Sequence, residues 1–416
     1  MNKKYQAPIP ALAVLGTLLI YWIYVQLQPV YTYTTLDARY DAHQYLRAYA
    51  YFKGQRGTYQ LDFPYNPRIL VPWLAAQVPY DDAVAVFKVL NGIFVVLAMA
   101  VLVRVWVNLG LRLSLVTTGL FWLLLHWRGL VRMYLPDPVT VDVPGYFFGA
   151  LWLFLILRLV RKGRVDYLSL SLLPLSVLAT LQKELFVPLV GASGLFFVWH
   201  RRAVDRRVLL LFAGSLALAL VARFWAERTF PPFQADWRTS SLVTVLWRAR
   251  QYLLHPSQLL WVPVGWLLAF GGIGLVGFYE WLRARLLSGT SQTAGDQDAE
   301  GTFSLKYLGF MSMVGLVLGL LGGGDTVRNA MLVSPFVLTY LLHLLQQRPA
   351  WAGYLAGVVS LPLMRLTHLE PDLGTFPEQQ LAWCTECWRW AESWPYLLFI
   401  GVVWVVFFFF RKYFGE

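Results

Sequence analysis

"PIPALAVLGTLLIYWIYVQLQ", Pro8 to Gln28, is the stretch on which the fold turns. It carries no charge, and at 1.5 Å per helical residue it reaches about 30 Å, the depth of a bilayer's hydrocarbon. Lys3 and Lys4 precede it, as basic residues precede the apolar core of a secretion signal. The run is long for that role, however, and ends in "YVQLQPVYTY" with no small-residue cleavage site. It reads as a retained first span.

The remainder of the chain repeats the pattern. Of 416 residues, 58% are apolar and only 14% charged, where a soluble domain carries about 25% charge. The net charge of +12 first suggests nucleic acid, but its distribution argues otherwise. Lys and Arg gather in every second connection: Lys3 and Lys4; Arg104 and Arg112; Arg158, Arg161, Lys162 and Arg164; Arg201, Arg202, Arg206 and Arg207. The series continues with Arg283, Arg285 and Lys306, then Arg348, then Arg411 and Lys412. This is the positive-inside alternation, so the excess encodes topology and no nucleic-acid partner is expected.

The expectation is an all-α polytopic membrane protein of about 12 transmembrane helices. The runs are 8–28, 83–105, 113–128, 142–159, 167–181, 185–199, 208–225, 259–281, 306–322, 330–345, 351–366 and 395–410. Both termini then face the cytoplasm. Parity retains the short pair around Lys183 and Glu184, because losing one member would move "HRRAVDRR" outside. Residues 286–304, rich in Gly, Ser, Thr and Asp, read as a flexible cytoplasmic linker between an N-terminal bundle (1–285) and C-terminal helices (305–416).

Three outer connections are long, about 29–82, 226–258 and 367–394, and mix Trp, Tyr and Pro with acids and Arg. In the first, "LDARYDAHQYLRAYAYF" has a helical apolar side of Leu36, Tyr40, Tyr45, Leu46, Tyr49 and Phe52. It reads as an amphipathic helix at the interface, or else as a solvated cap on the bundle. Asp37 and Asp41 share one face, with Arg39 and His43 beside them. Like charges so placed disfavour each other, and such tension marks candidate sites. Other outer segments add Arg68, then Arg132, Asp137 and Asp142, then Lys183 with Glu184, and finally Asp325 with Arg328. Ionisable groups at membrane depth are costly and usually serve a polar pathway or site.

These segments resemble the GT-C superfamily of multi-spanning glycosyltransferases, which use polyprenyl-phosphate-linked sugars. Asp41 followed by "HQYLRAYAYF" and then "YNPRILVPWL" is similar to the D-x-x-x-Y…R-x-L-x-P arrangement of bacterial members. "QKELFVPL" and "GGGDTVRNAMLVSPF" resemble later Lys/Glu and Asp/Arg segments of such chains. The scattered pieces cover about a third of the sequence, and the chain lacks the large external domain of bigger relatives. The resemblance implies an inverting transferase on the periplasmic face of a bacterial inner membrane, with a lipid or glycan acceptor. It implies Asp41 as catalytic base with Asp37 as runner-up, and Arg68, Lys183 and Arg328 on the phosphate. Glu184 and Asp325 would position a sugar or one of those cations, and Arg39 and Tyr45 join the binding set. Some members use a divalent cation (Mg or Mn), although no paired His/carboxylate spacing marks a metal site here. The absence of N-x-Ser/Thr sequons in outer loops agrees with a bacterial origin.

Other signals carry less. Arg248, Arg250 and His255 border an apolar face in the second long outer loop and read as a headgroup anchor or an edge of the isoprenoid groove. Cys384 and Cys387 in "WCTECW" are expected to form a local disulfide on an oxidising side. Two rival functions stand beside the transferase: an envelope polysaccharide polymerase or ligase, and a 12-helix secondary transporter. Transporters place binding groups near the midplane of duplicated halves, whereas no duplication is visible here and the polar groups crowd the outer face.

Overall fold

The computed structural model describes residues 8–30, 41–200, 205–233, 241–287, 299–321, 326–346, 348–366, 369 and 390–414. Among them the regular elements are all helical. In chain order these are α1 (Pro8–Leu27), α2 (Asp41–Phe52), α3 (Leu70–Ala76), α4 (Ala83–Asn108), α5 (Leu113–Leu125), α6 (Asp142–Lys162), α7 (Leu172–Gln182) and α8 (Phe186–Trp199). There follow α9 (Arg206–Thr229), α10 (Ser241–Leu254), α11 (Trp261–Leu287), α12 (Ala299–Leu321), α13 (Thr326–Leu332), α14 (Ser334–Gln346), α15 (Ala350–Met364) and a last helix, Trp390–Phe414.

Each of the twelve apolar runs falls on helix, although run 330–345 straddles the break between α13 and α14. Among the described residues, six helices are long and apolar enough to cross a membrane: Ile9–Leu27, Ala83–Asn108, Asp142–Lys162, Arg206–Thr229, Trp261–Tyr279 and Gly301–Leu321. The chain is a multi-pass membrane protein, and length and composition support six of the twelve expected crossings. Shorter apolar helices among the described residues include α5, α7 and α8. Their apolar exteriors match lipid as solvent: Leu12, Val89, Leu210, Val221 and Leu398 are among many large apolar side chains left exposed.

By contact the chain divides into two compact units, residues 2–105 with 130–246, and residues 106–129 with 247–416. In the first unit, α1 meets α4 closely: a Cβ on Gly92 would stand 2.9 Å from the Tyr21 ring, whose hydroxyl donates to the Lys88 carbonyl at 2.8 Å. Helices α7 and α8 both pack along α9. Leu173, at the start of α7, lies against Gly214, and Gly194, late in α8, lies against Phe212. Glu184, between the two helices, instead approaches Arg223, farther along α9. The pair is therefore a hairpin whose open end sits near the start of α9 and whose tip points toward its end. With 11 and 14 residues its arms reach about 16 and 21 Å, short of a full crossing.

In the second unit, α11 packs on α13, α14 and α15. It is broken at Gly271, whose φ of 55° and ψ of −146° lie outside the helical region. The groups freed by the break find partners: Trp122 Nε1 donates to the Ala269 carbonyl at 2.9 Å, and Gly272 N donates to Ser360 Oγ at 2.8 Å. A Cβ at Gly271 would lie 2.5 Å from the Trp122 ring and 2.8 Å from Ser360 Oγ. Gly271→Ala is accordingly expected to cost about 2 kcal/mol or more, through a glycine-only backbone region and overpacking. A lowered unfolding temperature in a fixed detergent would register it, whereas alanine at exposed Gly401 has room and should not.

The expected linker, 286–304, is helical at both edges, since α11 runs to Leu287 and α12 begins at Ala299; residues 288–298 lie outside those described. Cys384 and Cys387 lie outside them too.

Candidate functional site

The site grows from α2. Asp41 opens the helix, where a carboxylate complements the exposed amides of the first turn. Ala42, Tyr45, Ala48 and Tyr49 follow at helical spacing as a buried stripe. The helix closes with a Schellman turn: Gly54, at φ 76°, donates to the Tyr51 carbonyl at 3.0 Å, and Gln55 N donates to Ala50 at 2.9 Å. Glycine is needed there for its positive φ.

The sequence suggested a helix lying flat at the interface or capping the bundle. The structure packs α2 into a core with Val71 and Ala75 of α3, Phe87 of α4, and Val139 and Val141. No residue from 41 to 52 is exposed. The physical reason is that its polar side is also occupied. Gln44 Nε2 donates to Asp62 Oδ2 at 2.8 Å, and Asp62 N returns a bond to Gln44 Oε1 at 3.2 Å.

That reciprocal clasp holds the segment after α2 against it and delivers two further side chains. Tyr65 Oη donates to Asp41 Oδ1 at 2.5 Å, and its ring meets Tyr45 edge-on at 5.7 Å. Arg68 stacks its guanidinium over Tyr65 at 5.3 Å and donates from Nη1 to Tyr45 Oη at 3.0 Å. With Nε and Nη2 it grips Glu184 at 2.9 and 2.5 Å, a two-pronged pair. Arg223 of α9 lies 4.0 Å behind Glu184 and pairs with Glu227 at 2.6 Å. Lys183, extended at the end of α7, donates to Asp142 Oδ1 at 2.6 Å. Asp142 is fully buried at the head of α6, where the Tyr134 hydroxyl reaches it at 3.4 Å. Gln182 Nε2 donates to the Val141 carbonyl, joining the hairpin tip to α6 a second time.

The result is a string of alternating charge, Asp41, Arg68, Glu184, Lys183 and Asp142, threaded through the phenols of Tyr65 and Tyr45. The charges condition one another. Burial works to raise Glu184, but Arg68, by charge and hydrogen bond, with Arg223 and Lys183 behind it, holds the carboxyl down to about 2. Burial works against the charged form of Arg68, and Glu184 and Tyr45 outweigh it, so the guanidinium stays charged. Burial raises Tyr45 well above the usual phenol range, with Asp41 and Asp142 adding to that and Arg68 opposing, so it remains neutral.

Because Glu184 is depressed from an ordinary 4.5 to about 2, its stabilising contribution is complete above pH 4.5 and fades as pH falls toward 2. Acid unfolding in detergent should therefore show a component in that window that is missing from Glu184→Gln.

No family model, curated protein or solved structure matches the chain. The site is thus to be judged on its own geometry.

Of the residues singled out from sequence, Asp41, Tyr45, Arg68, Lys183 and Glu184 come together here. Arg328 sits on α13, in the second unit. Asp37, Arg39 and Asp325 lie outside the described residues. Tyr65, Arg223 and Glu227 were not foreseen, and Asp142 was noticed only as a polar group at a span's mouth. The spacing Arg223-x-x-x-Glu227 late in an apolar run was a usable signal, as was the Tyr three positions before Arg68.

Among the described residues no three His, Cys, Asp or Glu side chains are grouped to hold a metal ion. The donor chemistry agrees: Asp41 takes a phenol, Glu184 a guanidinium and Asp142 an ammonium, whereas Mg or Mn requires carboxylate oxygens turned to the ion. The described cluster does not fit a divalent cation.

Proposed function

We propose that the protein is an integral-membrane inverting glycosyltransferase, moving a sugar from a polyprenyl-phosphate donor to a hydroxyl of a lipid or glycan. The observation carrying this reading is the meeting, in one charged cluster, of Asp41, Arg68 and the Lys183–Glu184 pair from segments far apart in the chain. A carboxylate beside phosphate-seeking cations is what the reaction needs.

Asp41 takes the proton of the acceptor hydroxyl. The acceptor oxygen forms its bond to the anomeric carbon as the bond from that carbon to the phosphate oxygen breaks. The electron pair leaves with the polyprenyl phosphate, and the configuration inverts. Tyr65 orients Asp41 through its 2.5 Å bond. Arg68 commits three of its five N–H donors to Glu184 and Tyr45, which leaves two to receive phosphate oxygen. Lys183 adds its charge from the adjacent position. Orientation follows from charge: Arg158, Arg161 and Lys162 end α6, and Arg206 and Arg207 start α9, at the opposite ends of those helices from the cluster. The positive-inside rule puts those ends in the cytoplasm and the chemistry on the outer face of a bacterial inner membrane.

The test is turnover by wild-type protein in proteoliposomes, supplied with radiolabelled polyprenyl-phosphate sugar and a lipid extract as acceptor source. Label transferred to a lipid or an oligosaccharide supports the reading, and products lengthening with time favour the polymerase variant. Label carried across the bilayer with the donor bond intact would replace the transferase with a transporter.

A further inference from the structure

The charged cluster holds a second guanidinium to which the transfer chemistry assigns no task. Arg68, Glu184, Arg223 and Glu227 all belong to the first compact unit. Arg223 stands between two carboxylates: its Nη2 pairs with Glu227 Oε1 at 2.6 Å, and its Nη1 lies 4.0 Å from Glu184 Oε2. That Glu184 oxygen already accepts from Arg68 Nε at 2.9 Å. A charge-assisted bond forms at about 2.8 Å, so Arg223 is only about 1 Å short of sharing Glu184 with Arg68.

The hold of Glu227 on Arg223 is weak by every local rule. Glu227 is 44% exposed, so water readily takes the place of the guanidinium there. The acid follows the base at i,i+4, the less favourable order on a helix. It also sits two residues before α9 ends at Thr229, where free carbonyls oppose a negative charge. Glu184, at 22% exposed, is the more enclosed carboxylate and gains more from a second cation.

Charge supplies the occasion for an exchange. The string sets three carboxylates, Asp41, Glu184 and Asp142, against two cations, Arg68 and Lys183. A polyprenyl-phosphate sugar adds one negative charge, and its phosphate gains more as the sugar leaves. At Arg68 that phosphate competes with Glu184, a group of its own sign held on Nε and Nη2.

We propose that Arg223 is a positioning residue of the transfer: as donor phosphate reaches Arg68, Arg223 releases Glu227, closes on Glu184 and draws that carboxylate off the guanidinium. Arg68 then turns Nε and Nη2 to the phosphate, and water takes over Glu227. No covalent bond changes in this hand-over. It rests on the glycosyl-transfer reading and deepens it, by naming what makes room for the donor's charge.

Full-length protein in detergent is titrated with a polyprenyl phosphate, with binding read by native mass spectrometry and by the shift in unfolding temperature. Arg223→Gln should bind about tenfold more weakly than wild type, whereas Glu227→Gln, which removes the competitor, should bind about twofold more tightly. The deciding measurement repeats Arg223→Gln in a Glu184→Gln background. There it should change affinity little, because Arg223 acts through Glu184. An equal loss in both backgrounds would mean that Arg223 draws the phosphate by its own charge, and would overturn the hand-over. Unchanged affinity in Arg223→Gln would overturn it too, as would weaker binding by Glu227→Gln, a substitution at an exposed position that the fold tolerates. Wild type that transfers sugar alongside any of these results keeps the transferase and loses the hand-over. Wild type that neither transfers sugar nor binds the polyprenyl phosphate loses both.

Discussion

Asp41→Asn should reduce glycosyl transfer by about a hundred- to ten-thousand-fold, the usual worth of a positioned general base. Asparagine keeps the shape, and its amide oxygen still accepts the Tyr65 hydroxyl that now meets Asp41 Oδ1 at 2.5 Å. The buried stripe of α2 is untouched and only the charge at its first turn is lost, so the unfolding temperature should fall only slightly. On the proposed mechanism, what disappears is the charge that accepts the acceptor's proton, so the loss should fall in kcat while donor binding persists. Tyr65→Phe supplies a graded companion: transfer should fall about tenfold, with its pH profile displaced, because the carboxylate is no longer oriented. Wild-type turnover by Asp41→Asn would remove Asp41 from the chemistry and turn attention to Asp37.

Breaking the Arg68–Glu184 pair should produce the largest loss of stability. Arg68 is buried and paired at 2.5 Å with a carboxylate only 22% exposed. Glu184→Met strands the guanidinium, at a cost of about 3 kcal/mol. Arg68→Met strands the carboxylate to a smaller extent, since Arg223 stands 4.0 Å away and can close on it. The double variant, apolar on both sides, should recover most of the loss, because the penalty lies in the unpaired charge. Unfolding temperatures of the four proteins in one detergent measure the coupling. Strict additivity would mean that the two side chains do not stabilise each other.

The helical, lipid-facing character of the chain was legible in its runs, because a bilayer imposes length and apolarity on each segment independently of its neighbours. The number of crossings was less so: α7 and α8 match the composition of spans and miss their length, and length depends on where a helix stops. Lys183 and Glu184 betrayed that stop through the cost of burying charge. Within the site, Asp41 and Arg68 stood out as charges in an aromatic setting. Tyr65 did not, since a lone phenol in an interfacial loop is usually a headgroup anchor, and only the Gln44–Asp62 clasp turns it toward Asp41. The burial of α2 was hidden for the same reason, because the partners of its polar side come from a later segment with no periodic signature.

The α7–α8 hairpin sets a depth. Its tip meets Arg223, six positions before α9 ends at Thr229, so the ion pair lies about 9 Å along the axis from that end of the helix. On the glycosyl-transfer reading, a reactant reaching Glu184 has to carry its polar head down past that last stretch of α9. Molecules carrying their own greasy stalk make that descent at small cost, whereas a freely dissolved nucleotide sugar would first have to shed its water.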